Sequence, residues 1–255
     1  MYHRLESPVC PVEAPSERPW AVSADTFARH LDLIRADGRL GVAMDRVHRE
    51  LEAGRAVPPH WVAITFDDGN LSDHVHALPL LAARGFTATF FVGGARVDTR
   101  GGLTRGMLGE LAAAGMHIGS HAMTHRFLTT LSADEETEEL ERSRDLLTGA
   151  AGAPVDHFAP PGGRWSTRTA ASLRRTGYRA VSTSVFGCND CTGRRFAYRR
   201  MPVVRATTDT RLIAMVRGDR LRLVPGYLRA GSLGMARRVL GEAGYSRARA
   251  GAGLP

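Results

Sequence analysis

Trp61-Val62-Ala63-Ile64-Thr65-Phe66 runs directly into Asp67-Asp68-Gly69-Asn70. An unbroken apolar and β-branched run reads as a buried strand, and the Asp-Asp-Gly-Asn cluster reads as the turn that ends it. Outward from this point, Ser72 to Arg84 repeats Val75, Leu78 and the Leu81/Ala82 pair at helical spacing, and Gly85 suits the helix stop. Thr87 to Val92, β-branched and aromatic, reads as a second strand. Leu103 to Ala114 reads as a helix closed by Gly115, and Met116 to Ser120 as a third strand that delivers His121. Ser132-Ala133-Asp134-Glu135 is a capping box, in which the Ser hydroxyl and the Glu carboxylate each take a free amide at a helix start. That helix is expected to reach about Leu147, with the acidic run Asp134 to Glu141 as a solvated face favoured by the helix dipole.

Further along, His157-Phe158-Ala159 reads as a short strand, Ser166 to Arg175 as a helix and Gly177 to Thr183 as a strand. Met201 to Arg205 is the expected last strand, followed by helices around Thr210 to Arg217 and Leu233 to Gly241. Strands alternating with helices imply parallel pairing and an α/β fold. No glycine-rich nucleotide fingerprint follows a strand, so the doubly wound reading is weak. The polar residues Asp67, Asp68, His121 and Pro160 to Gly163 fall just after strands, where the carboxyl ends of barrel strands place active sites. The expectation is a closed or nearly closed (β/α) barrel over residues 1–208. Residues 209–255 are expected to form a helical extension packed on it, frayed from Ser246 to Pro255.

The chain has 255 residues, 43% apolar and 24% charged, enough to bury a full core and ordinary for a globular protein. Its formal charge of +8 comes entirely from Arg, since the sequence has no lysine. These Arg residues are spread out, with no basic block and no nucleic-acid motif, so a nucleic-acid partner is not expected. No stretch approaches the roughly 20 apolar residues of a membrane span. Met1 to Glu6 lacks the charged-then-apolar pattern of a signal peptide, which gives the expectation of a cytoplasmic protein. The three cysteines are too few for a disulfide framework, and Cys188-Asn189-Asp190-Cys191 reads as a plain loop before it reads as a metal or redox pair.

Three segments carry chemistry. Adjacent Asp67 and Asp68 at the end of a buried strand repel each other and persist where a cation or proton holds them; pointing in different directions, they suit different roles. The bland alternative is an Asp-Gly turn with one solvated carboxylate. In His121-Ala122-Met123-Thr124-His125, two histidines four apart meet on one helical face or converge from a loop entering a helix, against the alternative of two surface histidines. Imidazole with carboxylate is a zinc-type ligand set, and Asp68, His121 and His125 leave the open position a catalytic zinc needs. Pro160-Pro161-Gly162-Gly163-Arg164-Trp165 is a rigid turn that exposes backbone amides able to hold an oxyanion, with Trp165 able to stack on a sugar, or else an ordinary tight turn.

Thr65-Phe66-Asp67-Asp68-Gly69, then His121-x-x-x-His125, then Pro160-Pro161-Gly162-Gly163, in this order and at strand ends, resembles the polysaccharide deacetylase family, the NodB homology group of carbohydrate esterases. The resemblance extends to Tyr2-His3-Arg4, Trp20 to Leu33 and Ala88 to Val92, and covers roughly residues 1–205. It implies a distorted (β/α)7 barrel and metal-dependent removal of acetyl, or a similar acyl group, from an N-acylated sugar or sugar-containing metabolite. Carried over by position, Asp68, His121 and His125 would hold one divalent metal of zinc type, Asp67 would be the general base, and the Gly162 amide, with Pro161, Arg164 and Trp165 around it, would serve the oxyanion and the substrate.

The chain departs from the family pattern in three places. Ala159 stands where the family has the Arg that orients the catalytic Asp, and Arg164 or Arg200 is offered as a substitute. The family's C-terminal His, which protonates the leaving amine, has no counterpart, since no His follows His157. His3, His74 and His157 are the candidates, His3 first, because a Tyr-His at the first strand can face the barrel mouth. Ala122 replaces a Ser or Thr, with loss of a hydrogen bond near the ligands. The missing Arg and His motivate a second reading, a catalytically degenerate carbohydrate-binding member. The Arg-rich segment from Arg217 to Arg249 motivates a third, an interaction surface. The oligomeric state is not readable.

Overall fold

The computed structural model describes residues 1–190, 192 and 196–228. Cys191, and with it the Cys188-x-x-Cys191 pair, the helix expected around Leu233 to Gly241 and the frayed end all lie outside these residues. The strands are β1 (Arg4–Glu6), β2 (Ala21–Ser23), β3 (Leu40–Val42), β4 (Trp61–Ala63), β5 (Thr65–Asp68), β6 (Thr89–Val92), β7 (His117–Ser120), β8 (His157–Phe158), β9 (Ala180–Ser182) and β10 (Ala197–Tyr198). The helices are α1 (Ala24–Ala36), α2 (Met44–Glu52), α3 (Leu78–Ala82), α4 (Arg105–Ala113), α5 (Ala133–Ala151), α6 (Thr167–Arg175) and α7 (Asp209–Arg217). The main sheet has the order β10-β9-β8-β7-β6-β5, all parallel, with β1-β2 and β3-β4 as small parallel ribbons beside it.

The sheet curls and closes through the N-terminal residues. Tyr2 forms a single parallel bridge to Phe66, with its amide donating to the Thr65 carbonyl at 2.8 Å and its carbonyl accepting from Asp67 at 3.0 Å. On the other side, the Val203 amide donates to the Met1 carbonyl at 2.8 Å. Residues 1–2 therefore stand between β5 and the segment after β10, and the distortion of this (β/α) barrel is that its seam rests on isolated bonds rather than on a ladder.

Two strands differ from the sequence reading. Trp61 to Phe66 is not one strand: β4 pairs with β3, β5 pairs with β6, and Ile64 changes hands, donating to Val42 and accepting from Thr89. Met201 to Arg205 is not a strand, because Pro202 has no N–H to give a ladder; the last strand is the two-residue β10 just before it. The helix expected over Ser72 to Arg84 is a π-helical turn, Asp73–Ala77, running into α3. The capping box at Ser132 and Glu135 is formed, and α5 runs on to Ala151, where Gly152 ends it in the left-handed conformation at φ 64°.

Both faces of the sheet are buried, as parallel strands require. On the helix side, Phe66 stacks on its register partner Phe90 at 4.9 Å and on Tyr2 at 5.4 Å, with Phe27 of α1 edge-on. On the inner side, Phe91 sits in register with Asp67. The acidic run of α5 is not simply a solvated face: Glu136 and Glu139 are buried, on the stripe that also carries Leu140, Ser143 and Leu147. Helix α7 docks on α1 through the Arg29–Asp209 and Arg217–Asp37 ion pairs and buries Leu212 and Met215. Among the described residues, no helix is long and apolar enough to cross a membrane.

Gly119, in the middle of β7, is required by close approach. A Cβ there would lie 2.5 Å from the Phe91 ring and 3.1 Å from the His157 carbonyl. Gly119→Ala is expected to destabilise the fold by about 1–3 kcal/mol through overpacking. Chemical denaturation checks this, and an unchanged midpoint would contradict the packing described.

Candidate active site

The candidate residues gather at one rim, the carboxyl ends of the strands. Asp67 and Asp68 end β5, His121 directly follows β7, and Ala159 with the Pro160–Gly163 turn follows β8. Asp68 is in the left-handed region at φ 82°, which short polar side chains tolerate. This turns its side chain away from that of Asp67, so the neighbouring carboxylates have different partners.

Asp68 Oδ1 lies 3.5 Å from His121 Nε2 and 3.4 Å from His125 Nε2. A tetrahedral ion with bonds of about 2.0–2.2 Å holds its ligand atoms about 3.3–3.6 Å apart, so this spacing suits a zinc-type cation with little movement. His121 Nδ1 is 2.6 Å from the Ala159 carbonyl, which can only accept; Nδ1 therefore carries the proton and Nε2 presents its lone pair to the rim. Burial opposes ionisation of Asp68, but its hydrogen bond to His125 and the nearby His3 and His121 outweigh burial and hold its carboxyl well below the ordinary range. Burial lowers the pKa of His121, which favours the neutral ligand form.

His121 to Phe127 is a loop, not a helix, so the two histidines do not meet on a helical face. Ala122 and His125 both have positive φ, 64° and 61°. Glu139 of α5 holds this shape: its Oε2 accepts from the Met123 and Thr124 amides at 2.9 and 2.8 Å, and its Oε1 from the Thr124 hydroxyl. At Ala122 no side-chain hydroxyl is available, and the amide donates instead to Ser120 Oγ at 3.2 Å. Glu139 was not singled out from sequence; its spacing from Leu140, Ser143 and Leu147 was the available signal.

Asp67 is 3% exposed, and Arg200, 6% exposed, grips both its oxygens at 2.6 and 2.9 Å. Arg200 also donates to the Thr183 carbonyl at 3.0 Å and to Thr65 Oγ1 at 3.2 Å, and lies over the Phe91 ring. Burial alone would raise the Asp67 pKa; Arg200 first, then His121 and His3, bring it below the ordinary value. Of the two Arg offered in place of the residue missing at Ala159, Arg200 is therefore the one on Asp67, whereas Arg164 stacks on Phe127 with its guanidinium 3.8 Å from the ring centre.

A matching family profile decides the identification: one described as polysaccharide deacetylase matches residues 54–181, half of the chain. The chain belongs to the polysaccharide deacetylase family. Among relatives of this deacetylase-family chain, YxkH of Bacillus subtilis, named for polysaccharide deacetylation, is 29% identical over 177 residues, covering 69% of this chain and 63% of its own. A chitooligosaccharide deacetylase of Sinorhizobium fredii is 36% identical over 126 residues, 49% of this chain and 57% of its own. The chain thus spans less than two thirds of the length of each of these relatives, 63% and 57%. In fold, it is similar to the Streptococcus pyogenes deacetylase PplD, solved with acetate, at a TM-score of 0.75 and 23% identity over 85% of this chain and 96% of that one.

The other candidates are spread unevenly. Of the three histidines considered as proton donors, His74 pairs with Glu110 on the outer surface at 2.6 Å, and His157 opens β8 at the far end of the sheet. His3 is at the rim: it acts electrostatically on both Asp67 and Asp68, packs on Trp20 with ring centres 4.8 Å apart, and has a buried Nδ1 without a hydrogen-bond partner among the described residues. Asn70 fixes its backbone, donating to the His3 carbonyl at 2.9 Å. Pro161 is buried, Gly162 is exposed at φ 60°, and the amides of Gly163 and Arg164 are turned back onto Pro160 and Pro161. Trp165 is partly buried against the core rather than standing free.

Arg200→Ala would leave Asp67 buried without its cation, at an expected cost of about 3–5 kcal/mol. The sign of the pH dependence follows. The lowered Asp67 pKa stabilises the parent fold above the ordinary carboxylate value, and this is lost as pH falls through the folded pKa. In the variant burial dominates, the pKa rises, and protonation relieves the cost. The melting-temperature gap between parent and variant should therefore narrow as pH falls; a gap that is constant or widens would contradict the assignment.

Proposed function

We propose that this chain is a metal-dependent hydrolase that removes an acetyl group from the nitrogen of an N-acetylated sugar. The observation that carries the reading is the arrangement at the rim: a carboxylate between two imidazoles, Asp68 with His121 and His125, beside a second carboxylate, Asp67, that is held apart by Arg200. The family and the names of the chitooligosaccharide and chitin deacetylases it resembles support the substrate class.

Asp68, His121 and His125 would hold one divalent cation, zinc by its donor set, and the cation would polarise the acyl carbonyl and acidify the attacking water. Asp67 accepts the proton of that water. Arg200 occupies one lone pair on each Asp67 oxygen and leaves another for the water, while keeping the carboxylate ionised and oriented. As the water oxygen bonds to the acyl carbon, the negative charge on the former carbonyl oxygen is met by the Gly162 amide, the one amide of the Pro-Gly-Gly turn not folded back onto its prolines. The carbon–nitrogen bond then breaks, and His3 donates a proton to the leaving amine. Trp165, at the edge of the same turn and only partly buried, is the aromatic side chain nearest in sequence to stack on the sugar.

The degenerate, binding-only reading rested first on the absent Arg. It rests also on the absent C-terminal His. Arg200 on Asp67 supports the catalytic reading against it, because an ionised, oriented base serves turnover and adds nothing to binding a neutral sugar. The test is acetate release from a panel of N-acetylated sugars, with and without chelator. Turnover is expected to need metal, to disappear in Asp68→Ala with the fold retained, and to fall about 10²- to 10⁴-fold in Asp67→Asn. Turnover that survives complete metal removal would sink the reading. His3→Gln is expected to lower kcat on an N-acetylated sugar far more than on an activated aryl acetate, whose leaving group needs no proton; equal losses on both substrates would assign the proton donor elsewhere.

A further inference from the structure

We infer that the chain carries a second divalent-cation site, built from His117, Asp156 and His157 at the end of the sheet opposite the rim. His117 opens β7, and Asp156-His157 enters the neighbouring β8, so the three residues share the amino ends of adjacent strands. Among the described residues, two groups bring three potential ligand atoms within 4.8 Å of one another: the rim set and this one, both of one Asp and two His.

The geometry is close to what a small cation needs. Asp156 Oδ1 is 2.7 Å from His157 Nδ1, a hydrogen bond whose proton a bound cation would displace, and 3.8 Å from His117 Nε2, separations on either side of the roughly 3.4 Å of a tetrahedral site. The two rings stand 4.6 Å apart. Supports around the three residues resemble those of a metal centre. Thr89 Oγ1, 3.2 Å from His117 Nδ1, turns Nε2 of that ring toward Asp156. Arg179 takes the other Asp156 oxygen, Oδ2, at 3.5 Å, and also pairs with Glu52.

His157 is 2% exposed; its Nδ1 is bonded to Asp156, and its Nε2, on the other side of the ring, has no hydrogen-bond partner among the described residues. His48 of α2, its ring 5.1 Å away, bonds through Nδ1 to the Tyr198 hydroxyl at 2.8 Å and also leaves a buried Nε2 without a hydrogen bond, although Glu52 is near. Soft nitrogen donors with a single carboxylate favour zinc or a similar late first-row ion over magnesium or calcium.

The experiment counts zinc in the full chain after stripping, reloading and removal of excess. About two ions per chain are expected in the parent, about one each in Asp68→Asn, His117→Gln and Asp156→Asn, and none in Asp68→Asn combined with Asp156→Asn. To separate loss of the site from misfolding in Asp156→Asn, zinc is also titrated against melting temperature in the Asp68→Asn background. It should raise the midpoint there and not when Asp156→Asn is added, with circular dichroism matched between the two. A parent count that His117→Gln and Asp156→Asn both leave unchanged would overturn the inference. A single ion lost in Asp156→Asn but kept in Asp68→Asn would uphold it while refuting a rim metal, so the two sites fail separately.

Discussion

Arg200 is gripped between the two edges of the sheet. It follows β10, bonds the carbonyl after β9, and reaches across the barrel interior to Thr65 and Asp67 of β5, 133 residues earlier in the chain. A carboxylate buried as deeply as Asp67 cannot stay ionised without such a partner. The first and last strands of the sheet must therefore face each other, although only isolated bonds through Met1 and Tyr2 join them directly. Closure of the barrel and ionisation of the candidate base are in this sense one constraint.

The same economy governs the other half of the rim. Asp68, Ala122 and His125 all adopt positive φ, conformations that cost energy unless the surroundings impose them. The Asp68 turn is followed by Gly69, which shares its left-handed backbone, and the histidine loop is fastened to α5 by Glu139 and to the segment after β6 by the Gly94 and Ala95 amides. A helix over His121 to His125 would have been the less strained course for the chain. The loop instead brings both imidazoles onto one carboxylate oxygen, and the long helix α5, well capped at both ends, is the rigid body that holds it there.

Seen from the sheet, histidine and aspartate are gathered at both ends of β7 and its neighbours. At the carboxyl end they open to solvent, with His125 half exposed. At the amino end they are enclosed between α2, β7 and β8. If both clusters hold cations as proposed, that contrast is the one expected between sites that do chemistry, which keep an open position, and sites that hold a fold together, which do not.

How much of this was legible in the sequence depends on the range of the interaction. The run from Trp61 to Asn70, the capping box at Ser132 and the placement of Asp67, Asp68, His121 and the Pro-Gly turn after strands could all be read locally, because burial periodicity, caps and turns are set by neighbours in the chain. That the loop around His125 is not helical, that Pro202 pushes the last strand back to Ala197 and Tyr198, and that two glutamates of an acidic run are buried needed packing partners to decide. So did the choice between Arg164 and Arg200: composition offers both, and only barrel closure brings one guanidinium, from the far end of the chain, onto Asp67. The sequence by itself determined which imidazoles and carboxylates this protein offers as candidates for binding a cation and moving a proton; the tertiary structure decided which of them meet, because a buried charge accepts whichever partner the closed sheet delivers to it.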